Sequence, residues 1–210
     1  MKECEKGLKA REKGQTGRAV AHLEKAVRLA PDYCLAHIHL GVLYHSLGRL
    51  EEAEEAYLHA RRLSRNNPLP LINLGEIYLK KGQTELAIEM LREATSITPT
   101  PALAFYSLGI ALLRADELTE AEKALLRAKS LDPKLERVRL ILANVYLRTQ
   151  DPGRRLEQLE AYLDEYPEGT DREQGQTMRS AILGINGPPR HKKEPVSTEV
   201  SDTIKKLVGP

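Results

Sequence analysis

The chain has 210 residues and nearly balanced charge, with 32 Lys and Arg against 30 Asp and Glu. This balance gives no electrostatic reason to expect binding to nucleic acid or insertion into a membrane. Only 4% of residues are aromatic, which fits an aliphatic helical core, and the two cysteines, Cys4 and Cys34, are too few for a disulfide framework.

The first predicted element is the polar segment KECEKGLKAREKG, which contains Gly7. It fits either a water-exposed helix at the end of a repeat array or the first helix of a segment taken from a longer array. A second helix follows and ends near Pro31. The start of the chain lacks the apolar core of a signal peptide, so a cytoplasmic location is predicted. An envelope or periplasmic location is the alternative if an N-terminal segment is missing.

This helix pair then recurs with a period of 34 residues. A small residue holds one position in the first helix of each pair: Gly7, Gly41, Gly75, Gly109 and Ala143. The second helices repeat three further positions: Ala19, Ala53, Ala87 and Ala121; Leu23, Tyr57, Leu91, Leu125 and Leu159; and Ala26, Ala60, Ala94 and Ala128. A fixed period of this length predicts stacked supersecondary units. Glycine inside a helix lowers stability by about 1 kcal/mol relative to alanine. Its recurrence therefore predicts that the missing side chain makes room for the second helix of the pair.

The repeated unit resembles the tetratricopeptide repeat, whose pattern is W-x2-L-G-x2-Y, then A-x3-F, then P. Leu74-Gly75-x2-Tyr78, Ala87-x3-Leu91 and Pro99 match this pattern, with Leu71 in the Trp place. The resemblance implies an all-α fold, a right-handed α-solenoid of helix–turn–helix repeats. We expect five repeats, at about 1–33, 34–67, 68–101, 102–135 and 136–168.

The turns inside the repeats and the irregular fifth repeat lead to two further predictions. Gly14, Gly48 and Gly82 lie between the two helices of their repeats, where a left-handed residue helps the chain to turn. In the fifth repeat, Arg155 and Tyr162 occupy positions that hold small residues elsewhere. We therefore expect a wider helix pair there.

The segment 169–185 is predicted to form a C-terminal capping helix. Thr170 and Glu173 resemble a capping box, and an apolar stripe follows at Met178, Ala181, Ile182 and Ile185. Pro, Gly and charge then predict a flexible tail over 186–210. Apolar residues at helical spacing make a short docking helix over 196–208 the alternative.

Catalytic and metal-binding motifs are missing from the sequence. The six histidines form no i, i+4 pair and no HExxH motif. Phosphate-binding loops and nucleophile elbows are also lacking. We therefore predict no catalytic residues, no metal site and no cofactor, and we do not expect an enzyme.

From the second repeat to the fifth, the first helices are apolar nearly all round, so part of their surface is left over after packing. In tetratricopeptide repeat proteins the first helices line a concave groove, which predicts partner-binding residues at these positions: Leu35, Ile38, Val42, His45, Leu69, Ile72, Glu76, Leu79, Lys80, Leu103, Tyr106, Ile110, Leu113, Arg114, Arg137, Leu140, Asn144, Leu147 and Arg148. Lys80, Arg114 and Arg148 recur at the repeat period, which predicts a basic rim that orients an acidic partner.

Some members of this family bind chaperone C-termini through a clamp of Lys, Asn and Arg. The corresponding positions here include Cys4, Leu8, His39, Leu69 and Asn73, so the clamp is not expected. We therefore predict a protein-binding scaffold that holds a peptide or helix of a partner protein in an apolar groove. A homo-oligomer, or a regulatory module of a larger envelope or secreted protein, is the alternative.

Overall fold

The computed structural model describes residues 1–97, 99–166 and 171–184. Over these ranges the chain forms eleven α-helices and no strand. The helices are α1 (Lys2–Glu12), α2 (Thr16–Leu29), α3 (Cys34–Ser46), α4 (Leu50–Leu63), α5 (Leu69–Lys80), α6 (Thr84–Ser96), α7 (Ala102–Arg114), α8 (Leu118–Leu131), α9 (Arg137–Arg148), α10 (Pro152–Glu165) and α11 (Arg172–Leu183). The predicted all-α helical-repeat fold is confirmed.

The chain divides into two compact bodies, Met1–Ala104 and a second that begins at Phe105, with the boundary inside α7. In the N-terminal body, each odd-numbered helix, here called an A helix, packs against the following even-numbered B helix. The B helices α2 and α4 also contact the next A helices, α3 and α5, and α3 contacts α5 directly. This pattern is a stack of helix pairs.

The recurring glycines lie where the two helices of a pair approach most closely. A Cβ atom added to Gly75 would lie 2.5 Å from Cγ of Leu91, and one added to Gly41 would lie 2.6 Å from Cε1 of Tyr57. The same construction in the C-terminal body places a Cβ of Gly109 2.5 Å from Cγ of Leu125. These distances leave no room for a side chain, so the predicted role of the glycines in helix packing is confirmed.

The turn between the A and B helices uses a left-handed residue in every repeat. Gly14, Gly48 and Gly82 have φ values of +69°, +73° and +74°, as predicted. Asp116 and Gln150 hold the same place in the fourth and fifth repeats with φ values of 63° and 57°. Residues with a Cβ atom are strained in this conformation, so the later turns keep their shape at some expense of stability.

Tyrosine–glutamate hydrogen bonds join successive repeats. The Tyr44 hydroxyl donates to Glu24 at 2.8 Å, and the Tyr78 hydroxyl donates to Glu54 at 2.9 Å. Burial and the nearby carboxylate raise the pKa of Tyr78 to about 12. The phenol therefore stays protonated, and the bond persists, throughout the neutral range.

The C-terminal body ends in a small core between α9, α10 and α11. Leu159 and Tyr162 are fully buried there, and Met178 of α11 packs against them, with Ile182 at the margin. Ala181 is exposed, so its predicted place in the apolar stripe is wrong. Gly175 takes that role, because a Cβ on it would lie 3.2 Å from the Tyr162 ring.

Several predicted features of the C-terminal region lie outside the described residues. They are Thr170 of the capping box, Ile185 of the apolar stripe and the whole segment 186–210. Within the described residues, α11 begins after Asp171, whose side chain accepts no capping hydrogen bond from the helix.

Candidate protein-binding surface

One row of leucines is exposed on the A helices of the N-terminal body. Leu35, Leu69 and Leu103 occupy the same position in three successive repeats, in the first turns of α3, α5 and α7. Their exposed fractions are 47%, 45% and 40%. Because large apolar side chains at one repeated position form a strip rather than scattered points, this leucine row is a candidate contact surface.

Other residues predicted for the binding surface are buried instead. They are Ile38, Ile72, Leu79, Leu113, Leu140 and Asn144, none more than 6% exposed. The expectation that these side chains are accessible to a partner is wrong. In the N-terminal body the reason is that α5 packs against α3, α4 and α6 together, so neighbouring helices cover more of its circumference than the groove prediction assumed.

A polar cluster lies further along the same A helices. It consists of His45 on α3, Tyr57 on α4, and Glu76 and Lys80 on α5. The Tyr57 ring rests against Gly41, one turn before His45. Glu76 raises the pKa of Tyr57, in addition to the larger effect of burial. Since α3, α4 and α5 contact one another, these side chains lie on three neighbouring helices.

The electrostatics of the polar cluster are dominated by burial. Desolvation raises the pKa of Glu76, and Lys80, one turn away on the same helix, opposes that rise only in part. Desolvation, with a smaller contribution from the Lys80 charge, lowers the pKa of His45. At neutral pH the imidazole is therefore uncharged.

Two atoms of the polar cluster have no hydrogen-bond partner among the described residues. They are the Tyr57 hydroxyl and Nε2 of His45, both buried. Buried polar atoms in folded proteins almost always have a hydrogen-bond partner, so two exceptions in one region need a physical explanation. Tyr57 was missed as a site residue, although a signal was present, since the other repeats carry leucine at its position.

The predicted basic rim is partly neutralised in the C-terminal body. Arg148 donates to the backbone carbonyl of Leu113 and pairs with Asp116, each at 2.5 Å. Arg137 pairs with Asp171 at 2.8 Å. Both cations therefore have structural partners.

Other residues predicted for the binding surface are less deeply buried. The half-buried ones are Val42, Tyr106, Ile110, Arg114 and Leu147, and Lys80 is exposed.

Three family models match the sequence. A tetratricopeptide repeat model covers residues 32–100, a TPR repeat model covers 7–48, and a further tetratricopeptide repeat model covers 72–136. Together they extend over residues 7–136 without a gap. This chain belongs to the tetratricopeptide repeat family.

Several solved structures have a fold similar to that of this chain. PilW, a type IV pilus biogenesis factor, has a TM-score of 0.78 at 15% identity, covering 98% of this chain and 90% of that chain. Pseudomonas aeruginosa pilF has a TM-score of 0.76 at 19% identity, covering 98% of this chain and 90% of that chain. YrrB, a TPR protein with an unusual peptide-binding site, gives 0.66 at 20% identity, covering 83% and 90%. At these identities the likeness establishes the fold alone.

No curated protein has a significant sequence match to this chain. Among its described residues, no helix is long and apolar enough to cross a bilayer. The same residues contain no group of three or more His, Cys, Asp or Glu side chains arranged to hold a metal ion.

Proposed function

We propose that this tetratricopeptide repeat protein is a non-enzymatic scaffold that binds a peptide or helix of a partner protein. The binding surface in this proposal is the A-helix face, defined by the leucine row (Leu35, Leu69, Leu103) together with Val42 and the polar cluster. The observation that carries the proposal is the leucine row, because its three large apolar side chains are each at least 40% exposed.

The spacing of the leucine row sets the pattern expected in a partner. Packed helices lie about 8–10 Å apart, so leucines on successive A helices are expected at about that separation. An extended peptide advances about 3.3 Å per residue and a helix about 1.5 Å. Apolar side chains about three residues apart in an extended peptide, or about seven apart in a helix, therefore match the row.

The proposal is tested by charging the leucine row. A displayed library of random 16-residue peptides is selected on the full chain, and affinities of selected peptides are measured by fluorescence anisotropy. We expect Leu35→Lys with Leu69→Lys to weaken binding at least tenfold. Leu86→Lys with Leu126→Lys is the matched control, because these leucines are 41% and 43% exposed but lie on B helices.

Two outcomes would contradict the proposal: selection that enriches no peptide, and a control pair that weakens binding as much as the leucine-row pair. Self-association is the second hypothesis, since the same exposed leucines would also pair two copies of the chain. Sedimentation equilibrium would then show a dimer that dissociates when Leu35 and Leu69 are replaced by lysine.

A further inference from the structure

An arginine-lined pocket of about 450 Å³ lies between the B helices α4 and α6 of the N-terminal body. The described residues that line it are Leu58, Arg61, Arg62, Arg65 and Glu93. The first three share one face of α4, because they are spaced i, i+3 and i+4, and Arg65 follows just beyond the end of that helix. Three guanidinium groups therefore border one open space, with a single carboxylate opposite them.

One of the three arginines is already paired, and the other two are not. Nη2 of Arg61 donates to Oε2 of Glu93 at 2.5 Å, and its Nη1 lies 3.6 Å from Sδ of Met90. These contacts join α4 to α6 and hold the Arg61 guanidinium at one wall of the pocket. Arg62 and Arg65 are exposed, and neither has a hydrogen bond or ion pair with any residue that the structure describes. Two cations in the pocket are therefore available to a ligand.

Stabilisation of α4 accounts for only part of this positive charge. The dipole of a helix favours cations in its last turn, where Arg61 and Arg62 lie. Arg65 lies beyond the C-cap residue, Ser64, and so outside the helix. The first, third and fourth repeats carry a proline at the equivalent position: Pro31, Pro99 and Pro133. The second repeat thus departs from the repeat pattern at the residue that adds a third guanidinium to the pocket.

The charges in the pocket favour an oxyanion that carries two negative charges. Glu93 neutralises Arg61, which leaves the charges of Arg62 and Arg65. These two residues are three apart and line the same pocket, so one group can contact both. A phosphorylated side chain carries about −1.5 to −2 charge at pH 7 and three strong acceptor oxygens, whereas a carboxylate carries one charge. Guanidinium groups bind phosphate oxygens in a bidentate way, so a phosphate matches both free arginines.

The exposure of the pocket favours a phosphate that is attached to a protein. Sites for small molecules usually bury about 70–90% of the ligand surface. Here Arg62 and Arg65 are exposed, and Leu58, the one apolar side chain among the described lining residues, is half-buried. A free phosphate compound would remain largely in solvent, whereas residues on either side of a phosphorylated side chain can add contacts with the surrounding helices.

We propose that Arg62 and Arg65, bordered by the Arg61–Glu93 pair, bind a phosphorylated serine of a partner protein. This arginine-lined pocket lies on the B helices, whereas the leucine row lies on the A helices. The inference therefore goes beyond the proposed function and does not depend on it. Phosphorylation of the partner would switch on this contact, because the unmodified serine has no charge to offer the two arginines.

The first experiment uses a synthetic library of nine-residue peptides with phosphoserine fixed at the centre. Peptides that bind the full chain are compared by fluorescence anisotropy with counterparts that carry serine or glutamate at the centre. The serine peptides should bind at least about tenfold more weakly, and Arg62→Gln with Arg65→Gln should weaken the phosphoserine peptides by a similar factor. Arg11→Gln with Arg28→Gln is the matched control, because both arginines are exposed in the same body. It removes the same charge and should change affinity by less than about twofold.

A substitution of Glu93 tests the charge balance with the opposite sign. Glu93→Gln removes the negative charge beside the pocket and releases Arg61 from its ion pair. It should therefore tighten binding of the phosphoserine peptides about threefold or more. Glu85→Gln, at an exposed position of the same helix, is the control and should leave affinity unchanged. Unchanged or weaker binding by Glu93→Gln would overturn the assignment of the phosphate to this pocket.

The remaining outcomes separate this pocket from the leucine row. Leu35→Lys with Leu69→Lys should not weaken the phosphoserine peptides, and the paired Arg62 and Arg65 variant should not weaken peptides that bind the leucine row. If the library contains no binder, or if the paired arginine variant has no selective effect, the pocket proposal is overturned and the scaffold proposal stands on its own test. Equal affinity for the glutamate peptides would indicate an acidic partner instead. Equal affinity for N-acetylphosphoserine amide would indicate a free phosphate compound, and either result overturns the proposal.

A second measurement needs no variant, so it stands even if a substitution disturbs folding. The Cζ resonances of Arg62 and Arg65 are followed by carbon-13 NMR while a phosphoserine peptide is added to the full chain. Both should shift in a saturable way, whereas Cζ of Arg28 should not, and the serine counterpart should shift none of them. Unchanged Arg62 and Arg65 resonances at saturating peptide overturn the proposal.

Discussion

The substitution Gly75→Ala tests the packing on which the repeat architecture depends. The added methyl group would lie 2.5 Å from Cγ of Leu91 and 2.8 Å from both of its Cδ atoms. Carbon atoms in favourable contact are about 3.5–4.0 Å apart. Leu91 is fully buried, so it cannot turn into solvent to relieve the overlap. Either α5 and α6 separate, or the leucine leaves its preferred rotamer.

The expected magnitude is the difference between two opposing effects. Overpacking of this kind costs about 1–3 kcal/mol, and replacing a helical glycine by alanine returns up to about 1 kcal/mol. Gly75→Ala should therefore lower the free energy of unfolding by up to about 2 kcal/mol. Gly17→Ala provides the matched control, because Gly17 is also helical but has no atom within 4 Å of the added Cβ. It should be neutral or stabilising.

Urea denaturation followed by far-UV circular dichroism measures both variants under one set of conditions. A double-variant cycle with Leu91→Ala then isolates the contact, since the glycine substitution should be much less harmful once the leucine branch is gone. If Gly75→Ala is as stable as the Gly17→Ala control, steric exclusion is not the reason for the recurring glycine.

Three other predictions concern stability. Tyr78→Phe removes the hydroxyl that donates to Glu54 at 2.9 Å and should cost about 1 kcal/mol in urea denaturation; an unchanged midpoint would show that the bond adds nothing. Gln150→Gly should stabilise by about 0.5–1 kcal/mol, because glycine adopts the positive φ of this turn without strain, and a loss of stability would contradict that account. The folded-state pKa of Glu76 lies above its ordinary value of 4.5, so the native state binds this proton more tightly than the unfolded state. The free energy of unfolding therefore falls as the pH rises from 4.5 through the raised pKa. Glu76→Gln should remove that fall, which makes the variant more stable than the parent at pH 7 but not at pH 4; parallel pH profiles of the two proteins would refute it.

The repeat architecture was predictable because many positions share one period. No single glycine identifies a fold, but Gly41, Gly75 and Gly109 at equal spacing require a common structural cause, which is close contact with the B helix of the same repeat. The repeat period also locates the non-glycine turns, since Asp116 and Gln150 follow Gly82 at steps of 34 residues. The residue type is a weaker guide, because aspartate is enriched in the left-handed conformation that both adopt but glutamine is not.

Contacts that depart from the repeat period were beyond the reach of the sequence. Tyr78 and Tyr146 each donate to a glutamate 24 residues earlier, whereas Tyr44 donates to one 20 residues earlier, so the repeat period does not identify the partner of Tyr44. Gly175 lies two residues before the position, Thr177, that the period would place after Ala143. It nevertheless supplies the close contact with Tyr162.

The accessible part of the binding surface was predicted only in part. Leu69 and Ile72 are three residues apart on one helix and were both assigned to the groove, yet their exposed fractions are 45% and 1%. The difference depends on how neighbouring helices overlap α5, which is a property of the stacked repeats rather than of the local sequence. Tyr57 occupies a repeated position of the B helices and is fully buried, but its hydroxyl has no hydrogen-bond partner among the described residues.

Methyl NMR on the full chain with a selected peptide tests the proposed binding surface most directly. The methyl resonances of Leu35, Leu69 and Leu103 should shift as peptide is added and should show intermolecular NOEs to its apolar side chains. Those of Leu86 and Leu126, equally exposed on the B helices, should stay in place. NOEs to Leu86 and Leu126, with unchanged resonances along the leucine row, would contradict the account.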